Sequence, residues 1–148
     1  MKKLLSFLGV FVFCFGLATE IKSQNRKSVS GTEVTGTFRD VSGSEFSILA
    51  LGKGKLRVSF SGVYTYKMAN GEPMANVGEA RGEAGIVGDT ATFKPEETEN
   101  CTIIIKFLPA RRIKVTQKET GTDCGFGFNV SADGNYKKVS SAKPKFSE

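Results

Sequence analysis

Apolar and polar residues alternate along most of this 148-residue chain, and this period of two constrains its fold more than any other feature. Successive side chains of a β-strand point to opposite faces of a sheet, so the alternation predicts strands with one buried face. The runs contain these apolar residues: Val34, Gly36 and Phe38; Phe46, Ile48 and Ala50; Leu56, Val58 and Phe60; Ala80, Gly82 and Ala84; Ala91 and Phe93; Cys101, Ile103, Ile105 and Phe107; Ile113 and Val115; Phe126, Phe128 and Val130; Tyr136. No stretch of the body combines a helical apolar face with helix start and stop signals.

Short segments rich in Gly, Asn, Asp and Pro separate these runs, and such segments are typical of tight turns. They are Gly52, Lys53 and Gly54; Asn70 and Gly71; Gly88 and Asp89; Pro109 and Ala110; Asp133 and Gly134. Strands joined in succession by tight turns favour a meander. The sequence therefore predicts an all-β fold for residues 32–139, a single antiparallel meander barrel or a flattened sandwich of about eight strands.

The inward-facing positions are rich in Phe, Ile and Val, which favours a packed interior. Phe126 and Phe128 are expected to point inward, while Gly125 and Gly127 permit another segment to pack closely on their strand. The run that contains Gly82 carries only small residues. It leaves room either for bulky neighbours, which is the favoured interpretation, or for a small ligand inside the barrel.

The N-terminus has the pattern of a secretory signal peptide, which we predict over residues 1–18. Its apolar run, residues 4–17, is shorter than the roughly 20 residues of a membrane-spanning helix. Cleavage after Ala18 places the small residues Gly16 and Ala18 at −3 and −1, cleavage after Ser23 is an open alternative, and an uncleaved anchor is less favoured. We therefore expect a secreted or periplasmic protein with no transmembrane segment after signal cleavage. The other terminal segments are a flexible lead-in over residues 19–31 and a polar tail over residues 140–148.

Export determines the expected state of the cysteines. Cys14 is lost with the signal peptide, which leaves Cys101 and Cys124 in an oxidising compartment. We predict a disulfide between them, worth about 3 kcal/mol in the chain-entropy model. Two free thiols or an intermolecular bridge are the alternatives. The spacing lacks the C-x-x-C redox pattern, so the role of the bridge is structural.

The composition excludes several kinds of chemistry. The chain has no His, so neither a Ser-His-Asp nor a Cys-His nucleophilic site is expected. Three cysteines without His are too few for a structural zinc site. Chemistry by carboxylate or Lys groups is the remaining alternative, and we predict no enzymatic activity, no catalytic residues, no metal site and no cofactor.

The net charge is modest. Loss of Lys2 and Lys3 with the signal lowers the formal charge from +6 to +4, and the basic residues are spread along the chain. We therefore expect no nucleic-acid partner. The densest basic cluster is Lys137, Lys138, Lys143 and Lys145, which we interpret as part of a solvated tail.

Two groups of residues are candidates for a binding surface. The first precedes the turn at Asn70 and Gly71, and the second lies at the turn after Pro109. The candidate residues are Ser61, Tyr64, Tyr66, Lys67, Arg111 and Arg112. Tyrosines beside a loop are frequent in recognition surfaces, and adjacent arginines bind carboxylate or phosphate. The alternatives are aromatic residues on a half-buried strand and a solvated turn.

The last third of the chain has a distinctive layout. A cysteine begins an alternating strand, and the segments Val115-Thr116-Gln117, Cys124-Gly125-Phe126-Gly127 and Asp133-Gly134-Asn135-Tyr136-Lys137 follow it. This layout over residues 101–138 resembles uncharacterised small secreted bacterial domains and the β-rich domains associated with periplasmic lysozyme inhibitors. The resemblance implies a compact antiparallel barrel with one stabilising disulfide. Such inhibitors insert a loop with Ser, Tyr and Lys groups into the lysozyme cleft, and Ser61, Tyr64 and Lys67 are the nearest candidates here.

These features together predict an exported, non-catalytic binding protein. It is either inhibitor-like or an envelope interaction module, with an unknown protein or envelope component as its partner. The alternative function is a carrier of a small apolar ligand in the barrel interior. The net positive charge disfavours a strongly basic lysozyme as the partner, because like charges slow association.

Overall fold

The computed structural model describes residues 28–119 and 121–146. This part of the chain contains eight strands and one short helix. In chain order they are α1 (Gly31–Val34), β1 (Gly36–Arg39), β2 (Glu45–Gly52), β3 (Lys55–Lys67), β4 (Pro73–Val87), β5 (Thr90–Phe93), β6 (Ile103–Leu108), β7 (Arg112–Gln117) and β8 (Gly134–Ser140). The predicted signal peptide lies outside the described residues. Within them, no helix has both the length and the apolar character needed to cross a membrane.

Each strand pairs antiparallel with the next, and β8 pairs back with β1, so the sheet closes into a barrel. The predicted all-β antiparallel meander barrel is therefore confirmed. Closure of the barrel depends on Gly36, whose φ of 145° disfavours residues with a side chain. A Cβ at Gly36 would also collide with the carbonyl oxygen of Ser140 on β8.

Aromatic rings fill much of the interior. The Phe46 ring centroid lies 4.7 Å from that of Phe60 and 5.0 Å from that of Tyr136. The Phe60 and Phe126 centroids are 5.2 Å apart, and all four side chains are buried. Ala80 is the cross-strand neighbour of Phe60, so the small residues of β4 lie beside large rings on β3. This arrangement is the packing that the favoured interpretation of the small-residue run predicts.

The two ends of the barrel differ. At one end, here called the helix end, lie α1 and the short turns that join β2 to β3, β4 to β5 and β6 to β7. At the other end, here called the ribbon end, lie the remaining connections. Two of these are long, residues 94–102 between β5 and β6 and residues 118–133 between β7 and β8.

A single helical turn, α1, covers the helix end, although the sequence pattern predicts no helix in the body. The Glu33 N–H donates to the Ser30 hydroxyl, and the Ser30 N–H donates to the Glu33 carboxylate. This pair is a capping box, and the Ser-x-x-Glu spacing is its sequence signature. Val34 ends the helix and is only 2% exposed, so the turn inserts an apolar side chain into the core.

Lys138 belongs to the core, and its assignment to a solvated tail is wrong. Its ammonium group donates to backbone carbonyls of Thr32, Glu33 and Thr35 at the end of α1. It also lies 5.0 Å from the centroid of the Phe38 ring. Three carbonyls and a ring face supply the interactions that a buried ammonium group needs.

The connection between β7 and β8 forms consecutive turns where the alternation of Phe126, Phe128 and Val130 predicts a strand. The Phe126 N–H bonds to the Gly121 carbonyl, and the Val130 N–H bonds to the carbonyl three residues before it. Backbone donors used locally in this way are not available to a strand ladder. Phe126 and Val130 are buried, but Phe128 is 75% exposed, so the prediction that Phe128 points inward is wrong.

Candidate binding surface on a projecting ribbon

The hairpin formed by β3 and β4 extends beyond the barrel wall. β3 has 13 residues and β4 has 15, and the two strands pair without interruption to the tip. Their other neighbours stop earlier, because β2 pairs with β3 only as far as Ser61 and β5 pairs with β4 only as far as Ala84. Residues 62–67 and 73–78 therefore form a two-stranded projection, which we call the ribbon.

One face of the ribbon carries exposed aromatic and thioether side chains. Tyr64 and Tyr66 follow the buried Phe60 at a period of two, and Met74 is the cross-strand partner of Tyr66. The tyrosine rings stack with their centroids 6.3 Å apart. Tyr64, Tyr66 and Met74 are 39%, 38% and 45% exposed. These three residues, here called the ribbon face, continue the inward side of the strands to a place where no core covers them.

The β7–β8 connection, residues 118–133, packs against the base of the ribbon and is here called the brace. Phe126 lies against Gly78, where an added Cβ would be 2.8 Å from the Cβ, Cγ and Cδ1 atoms of Phe126. The Gly127 N–H donates to the Val77 carbonyl at 3.0 Å. A Cβ at Gly127 would be 2.7 Å from the same carbonyl oxygen, so both glycines permit a close approach of the two segments.

Phe128 is a further exposed aromatic residue, and its backbone is hydrogen-bonded to the ribbon. Its carbonyl accepts a hydrogen bond of 2.8 Å from the side-chain amide of Asn76, which is the cross-strand partner of Tyr64. Met68, at the ribbon tip, is 46% exposed. Exposed apolar groups gathered in this way mark interaction sites more often than isolated exposed ones do.

A covalent bond and a buried amide hold the two long connections in place. Cys101 and Cys124 form the predicted disulfide, which joins the β5–β6 connection to the β7–β8 connection. The Gln117 side chain donates to the Glu119 carbonyl at 2.8 Å and accepts from the Ala132 N–H at 2.9 Å. The brace that carries Phe126 and Phe128 is therefore fixed at both of its ends.

The connections at the ribbon end are acidic. Their acidic residues are Asp40, Glu72, Glu96, Glu97, Glu99, Glu119, Asp123 and Asp133. Their basic residues are Lys94 and Lys118. The connections around the ribbon therefore carry a net negative formal charge, opposite in sign to the net charge of the chain.

The structure brings together two of the four predicted residues on β3. Tyr64 and Tyr66 share the ribbon face, whereas Ser61 and Lys67 lie on the opposite side because their positions are odd. Met74 and Phe128 were not predicted as site residues. The position of Met74 beside Tyr66 follows only from the strand register. The exposure of Phe128 follows from the turns of the β7–β8 connection, which the sequence pattern does not predict.

Arg111 and Arg112 lie at the helix end, on the far side of the barrel from the ribbon. The β6–β7 turn places Ala110 and Arg111 at φ values of 60° and 59°. The Arg111 guanidinium donates to the Ser141 hydroxyl at 2.8 Å. The two arginines help to line a cleft of about 300 Å³ beside α1, and Phe107 is another of its lining residues.

Two buried titratable groups lie away from the ribbon face. Burial lowers the pKa of Lys138 below its ordinary value, and the nearby Arg111 lowers it further, while Glu33 acts in the opposite direction. Burial raises the pKa of Tyr136, with smaller contributions from Asp40 and Asp133. The Tyr136 hydroxyl donates to the Ala132 carbonyl at 2.9 Å. Both groups are enclosed, so their shifts bear on stability.

Residues 28–119 and 121–146 contain no group of three or more His, Cys, Asp and Glu side chains placed to hold a metal ion. Comparison with known proteins adds no function: the chain matches no protein-family model, no curated protein and no solved structure.

Proposed function

We propose that this chain is an exported, non-catalytic binding protein that docks a partner protein on its ribbon end in the manner of an inhibitor. The proposal rests on the ribbon face. Tyr64, Tyr66 and Met74 lie on the side of the strands that faces the core within the barrel, but on the ribbon they are exposed. Tyrosine supplies a large contact area at a small cost in conformational entropy. The brace keeps the ribbon ordered before binding, which lowers the entropy lost on association.

The charge of the ribbon end supports a partner with a basic surface. Its connections contain eight acidic residues and two basic residues, so they carry a net negative formal charge. Complementary charge of this kind speeds association, although the net charge of the whole chain is positive. The partner that we propose is a basic lysozyme, because the resemblance implies an inhibitor loop that enters a lysozyme cleft and the connections around the ribbon are acidic.

The packed interior favours this function over the carrier of a small apolar ligand. The rings of Phe46, Phe60, Phe126 and Tyr136 contact one another across the space that such a ligand would need. Binding there would require the rings to move, and dense cores resist such changes.

The test is a binding and inhibition titration of the purified protein against lysozymes of different class and charge. A double variant, Tyr64→Thr with Tyr66→Thr, removes the stacked rings but retains good β-propensity. The matched control is Val77→Thr, which alters a side chain 64% exposed on the opposite side of the ribbon.

We expect a basic lysozyme to bind and the double variant to lose at least about tenfold in affinity, since buried tyrosines are frequent hot spots. The control should lose less than about twofold, as residues outside hot spots do. Equal losses in the two variants contradict a role for the ribbon face. Failure to bind any lysozyme in the panel contradicts the inhibitor-like function.

A further inference from the structure

A strip of cations runs across the outer wall of β6, β7 and β8, away from the ribbon. Lys106 on β6 pairs directly with Lys114 on β7, and Arg112 on β7 pairs directly with Lys137 on β8. Their positions alternate with the buried residues of the same strands, so all four side chains point outward. Directly opposed side chains have Cβ atoms about 5 Å apart, so these two pairs bring like charges together.

The strip has no acidic counterpart. Within the described residues, no carboxylate lies within ion-pairing distance of the Lys106, Lys114, Arg112 or Lys137 side chains. Three outward cations on other strands do have a carboxylate partner: Arg39 pairs with Glu45, Lys55 with Glu83 and Arg81 with Glu97. Like charges directly opposite each other on a sheet destabilise it, so the strip is unfavourable for folding alone.

We propose that this strip is a binding surface for a linear acidic polysaccharide. An anionic chain that crosses the strands meets Lys106 and Lys114 on one line and Arg112 and Lys137 on the next. Carboxylate groups repeated along the chain accept charge-assisted hydrogen bonds from these donors. Binding then relieves the repulsion within each pair.

The shape and composition of the strip favour a polysaccharide over other polyanions. The strip follows the curved wall of a closed barrel, so a planar lipid surface contacts only a part of it. It contains no aromatic side chain, whereas single-stranded nucleic acids are held mainly by stacking on aromatic rings. A flexible carboxylated chain can follow the curve and needs no stacking partner.

The strip lies on a different part of the barrel from the ribbon, so this inference is independent of the proposed function. Its test is a titration of the purified protein with polygalacturonate, and with neutral dextran as the control polymer. Two triple variants each remove three positive charges. Lys106→Gln, Lys114→Gln and Lys137→Gln remove the strip, whereas Lys53→Gln, Lys94→Gln and Lys118→Gln remove exposed lysines elsewhere.

We expect polygalacturonate to bind, dextran not to bind, and added salt to weaken the complex. The strip variant should lose about tenfold or more in affinity, because three charge-assisted contacts disappear, and the control variant less than about threefold. The strip variant should unfold at the same or a higher urea concentration, which separates lost binding from lost folding.

Three results overturn the inference. The first is an absence of polygalacturonate binding. The second is an equal loss in the two triple variants, which would mean that net charge alone governs binding. The third is tighter binding to anionic lipid vesicles or to a single-stranded oligonucleotide at equal charge concentration, which would reassign the strip to that class of partner.

Discussion

Substitution of Gly78 by Ala tests whether the brace and the ribbon pack as the structure shows. The new Cβ would lie 2.8 Å from the Cβ, Cγ and Cδ1 atoms of Phe126. Rotation of the ring does not relieve the contact with the Phe126 Cβ, because that atom is fixed to the backbone. The backbone is in turn held by the Gly127 hydrogen bond to Val77 and by the disulfide. We therefore expect Gly78→Ala to lower the unfolding free energy by about 1–3 kcal/mol, the usual range for overpacking.

Gly85 provides a matched control on the same strand. No atom outside its chain neighbours lies within 4 Å of a Cβ placed there, and its φ is not positive. Alanine at such a position restricts the unfolded chain without strain in the folded one. Gly85→Ala should therefore raise the unfolding free energy by about 0.4–1 kcal/mol.

The assay is urea unfolding followed by far-UV circular dichroism, with the Phe126→Ala variant added to complete a double-mutant cycle. Removal of the ring opens space for the new methyl group, so Gly78→Ala should cost much less in the Phe126→Ala background than alone. The coupling energy should reach about 1 kcal/mol or more, as for residues in contact. Equal effects of the two glycine substitutions, or a coupling near zero, would refute the packing of Phe126 on the ribbon.

Two further predictions concern stability. Reduction of the Cys101–Cys124 bridge, or Cys→Ala at both positions, should lower the unfolding free energy by about 3 kcal/mol. The measurement is urea unfolding with and without reductant. An unchanged unfolding free energy would show that the bridge does not constrain the unfolded chain. Folding raises the pKa of Tyr136 above its ordinary value of 10.0. The stability that this shift gives the folded state is therefore fully present below pH 10 and is lost as the pH rises above that value. The unfolding free energy should therefore fall more steeply above pH 10 in the wild type than in Tyr136→Phe, and identical alkaline slopes would contradict the shift.

The barrel was predictable because the apolar residues of each strand alternate with polar ones, so the sequence of the strand alone identifies its inward face. In β6, Ile103, Ile105 and Phe107 alternate with outward residues, and the structure buries all three. The turns at Gly52, Lys53 and Gly54 and at Gly88 and Asp89 separate neighbouring strands. The alternation within a strand and the turn residues between strands are both visible in a short stretch of sequence. They can therefore be recognised without knowledge of the fold.

The β7–β8 connection was not predictable in the same way, because its alternation has a different cause. Phe126 and Val130 are buried by the ribbon, whose position depends on the register of β3 with β4. Phe128 occupies the intervening position of the pattern and faces solvent. A period of two over five residues cannot distinguish a strand from a series of turns that buries its first and last members. The Ser30 and Glu33 capping box, by contrast, is a local signal that identifies α1.

The two proposed binding surfaces depend on where the charges lie, which the net charge of the chain does not reveal. A formal charge of +6 over the whole chain disfavours a basic partner, whereas the acidic connections at the ribbon end favour one. Antiparallel closure sends alternate connections to opposite ends, so the acidic loops collect around the ribbon. The same closure aligns Lys106 with Lys114 and Arg112 with Lys137, although the members of the second pair are far apart in sequence. The two proposed sites share no residue, so we expect that a partner on the ribbon face leaves the strip free for a second one.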